Sequence, residues 1–181
     1  MIEIKNFSKK FNEIKLVNLH AFKDIRGDFS KLYTSKLFKN TLPKIDEVYF
    51  SISPKNTIRG IHFQHEPEQL LKLITCLSGE IMDVFIDLRK NSKTYGMFEA
   101  LKLSSKNNLG ILIPEGFGHG YSVLSDSATV LYCQSGNYDA DLESGINPLS
   151  IEVDWGIENP IISEKDKSYK NFDDTDREFL I

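Results

Sequence analysis

The segment Arg59–Gln64, with the sequence RGIHFQ, places a histidine inside a strand-like pattern. Strict alternation of side chains along a strand puts His62 on one face with Gly60 and Gln64, and Arg59 on the other face. The bare glycine leaves room for a ligand beside the imidazole, and an imidazole can take up or release a proton near neutral pH. A strand histidine is more often structural than catalytic, so a general base is predicted here only if other reactive groups lie nearby.

A lysine interrupts the apolar segment Leu70–Leu77, which reads LLKLITCL. Lysine is almost never fully buried unless it is paired or faces a wet cavity. Two interpretations of Lys72 stay open. It guards an edge strand against aggregation, or it provides a cavity ammonium group that stabilises a developing enolate or binds phosphate.

The segment Pro114–Gly120, with the sequence PEGFGHG, combines a proline and three glycines with a histidine. Such residues fix a turn, and glycines let the backbone approach a ligand closely. The pattern favours a functional turn that presents His119, and the alternative is a hairpin with an incidental histidine.

Three further features have a structural and a functional interpretation. Tyr132 lies in an apolar strand pattern, where a phenol is most often part of the core with its hydroxyl satisfied. Asp166 completes a capping box with Ser163 at the start of a predicted C-terminal helix. The segment from Phe22 to Phe29, which includes Arg26, resembles a simple turn.

Composition limits the classes of protein to which the chain can belong. It has 181 residues, of which 40% are apolar, so a single domain over residues 1–181 with a real core is expected. A net charge of −4 argues against binding to nucleic acid or to a membrane surface. No apolar run approaches the roughly 20 residues of a membrane span. With no secretory pattern at its start, the chain is expected to be cytoplasmic, with Cys76 and Cys133 as unpaired core thiols.

Strand patterns dominate the chain, at a spacing of about 8 to 12 residues, which indicates an all-β sandwich or small barrel. Short helices are expected over Ser35–Asn40 and from Ser163 onward, and Asp173–Glu178 is predicted to be a solvated acidic tail or helix face. The predicted strands are Lys15–Leu19, Ser30–Tyr33, Val48–Ile52, Ile58–Phe63, Leu70–Leu77, Ile81–Leu88, Phe98–Leu103, Gly110–Ile113, Gly120–Leu124 and Thr129–Gln134.

The motifs FxDxRGxF, RGIHFQ, LLKLI, GEIMDVFIDLR, TYG, IPEGFGHGYSVLSD, LY and SEKD occur in this order from Phe22 to Asp166. Together they resemble the dTDP-4-dehydrorhamnose 3,5-epimerase family of nucleotide-sugar enzymes. The resemblance implies a cupin-type antiparallel jelly roll and a homodimer. PEGFGHG resembles the second cupin motif, but His62-Phe63-Gln64 replaces the paired histidines of the first, so no metal site is predicted.

Enzymes of that family invert carbons beside the ketone of a 4-keto sugar nucleotide, without a redox or metal cofactor. The resemblance implies that His62 is the base, that Asp166 orients it, that Lys72 neutralises the enolate and that Tyr132 returns a proton from the opposite face. It also implies that Arg26 and Phe29 contact the nucleotide bound in a neighbouring subunit. The remaining predicted substrate-binding residues are Arg59, His119, Gln64, Glu47, Tyr49 and Tyr138.

The chain departs from the family pattern at Lys31, at Glu47-Val48-Tyr49 and over Glu143–Pro148. Since these segments differ while the reactive residues are retained, we expect the same reaction on a different substrate, such as a GDP-linked 4-keto hexose or heptose for a surface polysaccharide. Three alternatives remain: an epimerase that acts at C3 only, a 3,4-ketoisomerase, and a sugar-binding cupin without activity.

Overall fold

The computed structural model of the chain describes residues 2–174. This part of the chain is built almost entirely of short strands, with two short helices, as the all-β prediction required. The strands are β1 (Glu3–Asn6), β2 (Lys15–Asn18), β3 (Phe22–Asp24), β4 (Gly27–Phe29), β5 (Glu47–Pro54), β6 (Ile58–Gln64), β7 (Leu71–Ser78), β8 (Glu80–Asp87), β9 (Phe98–Ser104), β10 (Leu109–Ile113), β11 (Phe117–Val123), β12 (Ser127–Ser135) and β13 (Glu143–Gly145). The helices are α1 (Ser35–Phe38) and α2 (Glu164–Ser168), with 3-10 turns at Pro148–Ser150 and Phe172–Asp174.

Two antiparallel sheets form a sandwich, which confirms the jelly-roll prediction. One sheet has the strand order β1-β2-β10-β7-β12-β5, and the other has the order β13-β6-β11-β8-β9. The facing sides bury a core that includes Ile74, Phe85, Tyr121 and Val130. The small ribbon β3-β4 stands apart from both sheets.

Strand β8 shows why the five-stranded sheet needs a cover on its outer side. Phe85 points into the core between the sheets, whereas Val84 and Ile86 point outward into a second core. Trp155 and Ile162 of the C-terminal segment close this second core. Because apolar side chains on both faces must leave water, the C-terminal segment is held against the sheet.

Most of the predicted strands are present, and the errors lie where the chain changes direction. The strand predicted over Ser30–Tyr33 is wrong, because β4 ends at Phe29 and the chain runs irregularly into α1. The turn predicted between Phe22 and Phe29 is the tip of the β3-β4 hairpin. Strands β1 and β13 were missed because their sequences, EIKN and ESG, contain one apolar residue and none, so neither shows an alternating apolar pattern.

The glycine-rich turn is shorter than the sequence predicts. It ends at Gly116, which has a φ of +85°, and β11 begins at Phe117. His119 therefore lies within a central strand rather than on the turn. It pairs with His62 of β6 on one side and with Phe85 of β8 on the other.

A bulge in β6 changes the direction of the side chains that the alternation rule predicts. His62 is opposite His119 and Arg59 is opposite Tyr121, so β6 has one more residue than β11 between these pairs. Arg59 and His62 consequently line the same cavity, and the prediction that they face opposite ways is wrong. The bulge falls at Gly60, which has a φ of +108°.

Both predicted helix starts are confirmed. The Thr34 hydroxyl accepts a hydrogen bond from the amide of Leu37, and the Ser163 hydroxyl accepts one from the amide of Asp166 at 3.0 Å. Of the predicted acidic tail, Asp173 and Asp174 lie in the last 3-10 turn, and the rest lies outside the described residues.

The two cysteines are buried and unpaired, as predicted. Within residues 2–174, no helix has the length and apolar character needed to cross a membrane.

The bulge yields a stability prediction. A Cβ atom added to Gly60 would lie 2.6 Å from the Gly120 Cα and 2.6 Å from the His119 carbonyl oxygen, both parts of the backbone. We expect Gly60→Ala to lower the free energy of unfolding by about 3 kcal/mol, through the clash and the positive φ together. Chemical denaturation monitored by fluorescence measures this change.

Gly27→Ala is the matched control, because Gly27 has a φ of +116° but no atom within 4 Å of an added Cβ. It carries the conformational cost without the clash, and we expect a loss of about 1 kcal/mol. Equal losses in the two variants would contradict the close approach of β6 to β11.

Candidate active site

A cavity of about 370 Å³ opens at one end of the sandwich, and both sheets contribute to its wall. Its volume suits a small-molecule ligand. The cavity receives nearly all the residues that the sequence analysis singled out, although they are scattered along the chain. The lining residues are Glu47, Tyr49, Ser51, Arg59, His62, Phe63, Gln64, Leu70, Lys72, His119, Tyr132, Gln134, Tyr138 and Glu143.

His62 forms a hydrogen-bonded pair with Asp166, with 2.9 Å between Nε2 and Oδ1. The second carboxylate oxygen, Oδ2, accepts a hydrogen bond from the Gly60 amide at 3.1 Å. Burial acts to raise the pKa of Asp166, but the hydrogen bonds from His62 and Gly60 outweigh it and hold that pKa below its usual value. The ionised carboxylate fixes the orientation of the imidazole and stabilises its protonated form.

Asp166 therefore serves both interpretations that the sequence left open. Its backbone amide bonds to Ser163 at the start of α2, as a capping residue requires. Its carboxylate bonds to His62 and to the Gly60 amide. The other ring nitrogen of His62, Nδ1, forms no hydrogen bond with any residue in the described part of the chain, and the side chain is 30% exposed. A basic nitrogen is thus available to a ligand.

Lys72 lies on β7, which has β10 on one side and β12 on the other, so the edge-guard interpretation is wrong. Among residues 2–174, no side chain forms an ion pair or hydrogen bond with its ammonium group. Burial lowers the pKa of Lys72 to about 8, although the Glu143 carboxylate partly opposes this change. The cavity thus contains an ammonium group that a bound anion could neutralise.

Tyr132 is 8% exposed and lies in the cavity wall. Its ring stacks on Tyr49 with 4.8 Å between centroids, and it meets the His119 ring edge-on at 6.0 Å. Burial raises the pKa of Tyr132 well above its usual value of 10, so the phenol keeps its proton throughout the neutral range. This is the state that a proton donor needs.

Arg59 and His119 also line the cavity, as the resemblance implies. Arg59 Nε donates a hydrogen bond to the Ser53 hydroxyl at 2.8 Å, which anchors the guanidinium group. His119 Nε2 lies 2.8 Å from Oδ2 of the buried Asp83.

Gln64 and Glu47 hold the chain at the mouth of the cavity. Gln64 Nε2 donates to the Asn137 carbonyl at 2.9 Å, and Gln64 Oε1 accepts from the Asp139 amide at 2.9 Å. Glu47 Oε1 accepts from the Tyr138 amide at 2.8 Å. Both of these predicted substrate-binding residues therefore lie in the cavity wall and bond to the backbone of segment 137–139.

Glu143 is a lining residue that sequence reasoning missed as a site residue. It lies on β13 directly opposite Gln64, accepts a hydrogen bond from Tyr138 Oη at 2.9 Å and forms an ion pair with Lys165. A three-residue strand has no periodic signal. The only sequence signal in this region was the departure of segment 143–148 from the family pattern.

Arg26 and Phe29 do not line the cavity of this subunit. Both belong to the β3-β4 ribbon, where Arg26 Nη2 lies 2.6 Å from Asp24 Oδ2 and Phe29 is 63% exposed. Their expected contact with the nucleotide of a neighbouring subunit stays a prediction. The described residues contain no group of three or more potential metal ligands, and the expectation of a cofactor-free reaction likewise stays a prediction.

Comparisons with known proteins identify the relatives of this chain. The family model described as dTDP-4-dehydrorhamnose 3,5-epimerase matches residues 8–174. A dTDP-4-dehydrorhamnose 3,5-epimerase of Shigella flexneri is 39% identical over 161 residues, which cover 86% of this chain and 89% of that protein. A dTDP-4-dehydrorhamnose 3-epimerase of Streptomyces niveus is 36% identical over 149 residues, which cover 80% of this chain and 72% of that protein.

The fold agrees with that of solved enzymes. The dTDP-6-deoxy-D-glucose-3,5-epimerase of Legionella pneumophila, solved in complex with dTDP-4-keto-L-rhamnose, superposes with a TM-score of 0.92 at 31% identity. The match covers 99% of this chain and 97% of that one. With a family model that spans most of its length, and with the reactive groups of the motifs gathered in one cavity, the chain belongs to the dTDP-4-dehydrorhamnose 3,5-epimerase family of isomerases.

Proposed function

We propose that this chain inverts C3 and C5 of a dTDP-linked 4-keto-6-deoxyhexose. The observation that carries the proposal is that one cavity contains a base paired with a carboxylate, an unpaired ammonium group and a protonated phenol. The base is His62, which is paired with Asp166; the ammonium group is that of Lys72, and the phenol is that of Tyr132. Exchange of a proton beside a ketone needs these three functions and no electron acceptor.

In the proposed reaction, the unpaired ring nitrogen of His62 removes a proton from the carbon beside the ketone. The electrons of the broken C–H bond form the C=C bond of an enolate, and the negative charge moves to the C4 oxygen. The Lys72 ammonium group stabilises that oxygen, while Asp166 stabilises the imidazolium. Tyr132 then gives its phenolic proton to the same carbon from the opposite face, which inverts the centre.

The nucleotide in this proposal is that of the relatives, since the solved Legionella pneumophila enzyme holds a dTDP sugar. The GDP-linked hexose or heptose suggested by Lys31, Glu47-Val48-Tyr49 and segment 143–148 is the alternative substrate. Because the substrate is a nucleotide sugar, we place the reaction in the cytoplasm and its product in the synthesis of a surface polysaccharide.

A C3-only epimerase is the second candidate function, and the relative from Streptomyces niveus named as a 3-epimerase favours it. It needs the same base and the same enolate stabiliser, but only one inversion. A 3,4-ketoisomerase would instead move the carbonyl group, and a binding protein would exchange no hydrogen.

The test is incubation of the protein with dTDP- and GDP-linked 4-keto-6-deoxyhexoses in deuterated water. Because each inversion returns a solvent-derived proton, we expect deuterium at both C3 and C5 of the dTDP-linked sugar, located by NMR and mass spectrometry. Label at C3 alone supports the 3-epimerase, and a moved carbonyl supports the ketoisomerase. Absence of exchange with every substrate overturns the proposal.

The matched variant for this assay is His62→Asn, which retains a side chain of similar size without a basic nitrogen. Its rate of deuterium incorporation should fall about 100- to 10,000-fold, because general-base catalysis is lost. Deuterium incorporation at the wild-type rate would exclude His62 as the base.

A pH prediction follows from Lys72. Its pKa of about 8 means that the ammonium form is present below this pH and is lost as the pH rises through it. If the charged form stabilises the enolate, kcat/KM should fall above about pH 8, because kcat/KM follows the pKa values of the free enzyme. Lys72→Arg, which stays charged, should lack this decline, whereas Lys72→Met should lose about 100-fold in kcat at every pH. A decline that persists unchanged in Lys72→Arg would assign it to another group.

We also propose that the chain forms a homodimer through strand β5. Val48, Phe50 and Ile52 are 61%, 63% and 62% exposed on the outer face of this strand. Strand β5 is also the last strand of its sheet, and no strand among residues 2–174 pairs with its other edge. An apolar face beside a free strand edge is a typical site of association. The neighbouring Tyr49 stacks on Tyr132, so association at β5 would support the cavity.

Phe50→Asp should therefore convert a dimer into a monomer, because a buried unpaired carboxylate opposes association. Sedimentation velocity over a range of protein concentrations measures the change. Leu149→Asp is the control, since Leu149 is 59% exposed on a 3-10 turn away from β5, and this variant should remain dimeric. A monomeric wild-type protein, or a dimeric Phe50→Asp variant, would overturn this interface.

A further inference from the structure

Asp83, on β8, is a completely buried carboxyl group that the proposed mechanism does not use. Its exposed fraction is 0%, and that of its partner His119 is 6%. Oδ2 lies 2.8 Å from His119 Nε2, and Oδ1 is buried without a hydrogen-bond partner among the described residues. A buried polar atom left unpaired is costly, so its presence beside a cavity histidine requires an explanation.

Asp87 shows how a structural buried aspartate is satisfied on the same strand. It lies four residues further along β8, on the same face, and is also fully buried. Its two oxygens accept hydrogen bonds from Arg89, Ser92 and Thr94, with lengths of 2.6 to 3.0 Å. Asp83 has only the histidine. The difference indicates that Asp83 is present for what it does to His119.

The pair formed by Asp83 and His119 can hold one or two protons. With one proton it carries a buried net negative charge, with one oxygen unbonded, which burial opposes. With two protons it is neutral overall, either as carboxylic acid and imidazole or as carboxylate and imidazolium. In both of these neutral arrangements the hydrogen bond occupies Nε2, and His119 Nδ1 carries a hydrogen.

Burial accordingly raises the pKa of Asp83, although the attraction of His119 partly opposes this change. The other titratable groups near His119 come from three strands. Tyr132 of β12 meets its ring edge-on, His62 of β6 is its partner in register, and Arg59 of β6 lines the same cavity. Lys72 of β7 lines it as well. The positive charges of Arg59 and Lys72 favour loss of a proton from the pair, whereas full burial and the unpartnered Oδ1 favour the neutral pair with two protons.

We propose that Asp83 is a positioning residue that keeps a hydrogen on Nδ1 of His119, so that His119 donates a hydrogen bond to an oxygen atom of the bound substrate. The inference rests on the proposed function only for the identity of that oxygen, which is the C4 oxygen of the 4-keto sugar. A carbonyl oxygen accepts such a bond weakly and an enolate oxygen accepts it strongly. Loss of Asp83 should therefore affect kcat more than KM.

The first measurement is the nitrogen NMR spectrum of the His119 side chain in the uniformly labelled wild-type protein. We expect Nδ1 to show the chemical shift of a protonated nitrogen from pH 6 to pH 8, without substrate. A His119→Gln variant assigns the signal. An unprotonated Nδ1 at neutral pH overturns the proposal, and this readout does not depend on whether the chain is an epimerase.

The second measurement compares Asp83→Leu with Asp87→Asn. Leucine has no group that bonds to Nε2 of His119, so Asp83→Leu should lose the fixed hydrogen on Nδ1. It should reduce kcat about 100-fold, the size of one lost preorganised donor, with KM nearly unchanged. Asp87→Asn should lower the melting temperature without changing kcat or the His119 spectrum. In the His119→Gln background, Asp83→Leu should have no further effect on kcat.

Asp83→Leu removes the unpaired oxygen and keeps the volume, but it leaves Nε2 of His119 without a partner, so it should fold with lower stability and lose kcat. If this variant does not fold, the nitrogen spectrum of the wild-type protein still decides the proposal. Wild-type kcat in a folded Asp83→Leu protein would show that Asp83 has no influence on the reaction. A wild-type protein with no exchange activity, but with a protonated Nδ1, would refute the proposed function and leave the positioning of His119 intact.

Discussion

The hydrogen bond between Asp166 and His62 joins two parts of the chain that are 104 residues apart. On one side is a central sheet strand, and on the other is a helix of five residues, which is too short to form by itself. Its place is fixed by the apolar side chains before it, such as Trp155 and Ile162, which cover the outer face of the sheet. The orientation of the His62 imidazole therefore depends on the packing of the C-terminal segment.

Each of the two histidines that line the cavity is paired with an aspartate behind it, and the two aspartates have different electrostatic surroundings. Asp166 receives hydrogen bonds on both oxygens, which favour the carboxylate. Asp83 is fully buried, and its Oδ1 has no hydrogen-bond partner among the described residues; both features disfavour the ionised carboxylate. In our proposals this difference separates the two histidines: His62 begins the reaction with a free basic nitrogen, whereas His119 presents a hydrogen. The same two residue types thus serve opposite purposes because of their surroundings.

Sequence reasoning predicted the strand content and the gathering of His62, Lys72, Tyr132 and Asp166, because motif order and apolar patterning persist over many residues. It failed at Gly60, where one additional residue reverses the direction of Arg59 relative to His62. Alternation is a local rule and contains no information about a bulge, which depends on the partner strand.

Long-range order explains the remaining differences. Whether Lys72 lies at an edge depends on which strands flank β7, and these strands are distant in the chain. Asp83 lies with Phe85 on the face of β8 that packs between the sheets, whereas Val84 and Ile86 on the other face are covered by residues about 70 positions later. The sequence alone did not show that both faces of β8 are buried.

The attachment of segment 137–139 has an evolutionary consequence. Glu47 and Gln64 form hydrogen bonds with its main-chain amides and carbonyl, and these atoms are present whatever side chains the segment has. Residues at the entrance can therefore be exchanged by point mutation while the loop keeps its path and the reacting groups keep their places. Proteins that share this scaffold can therefore change the ligand that they bind before they change the reaction that they catalyse.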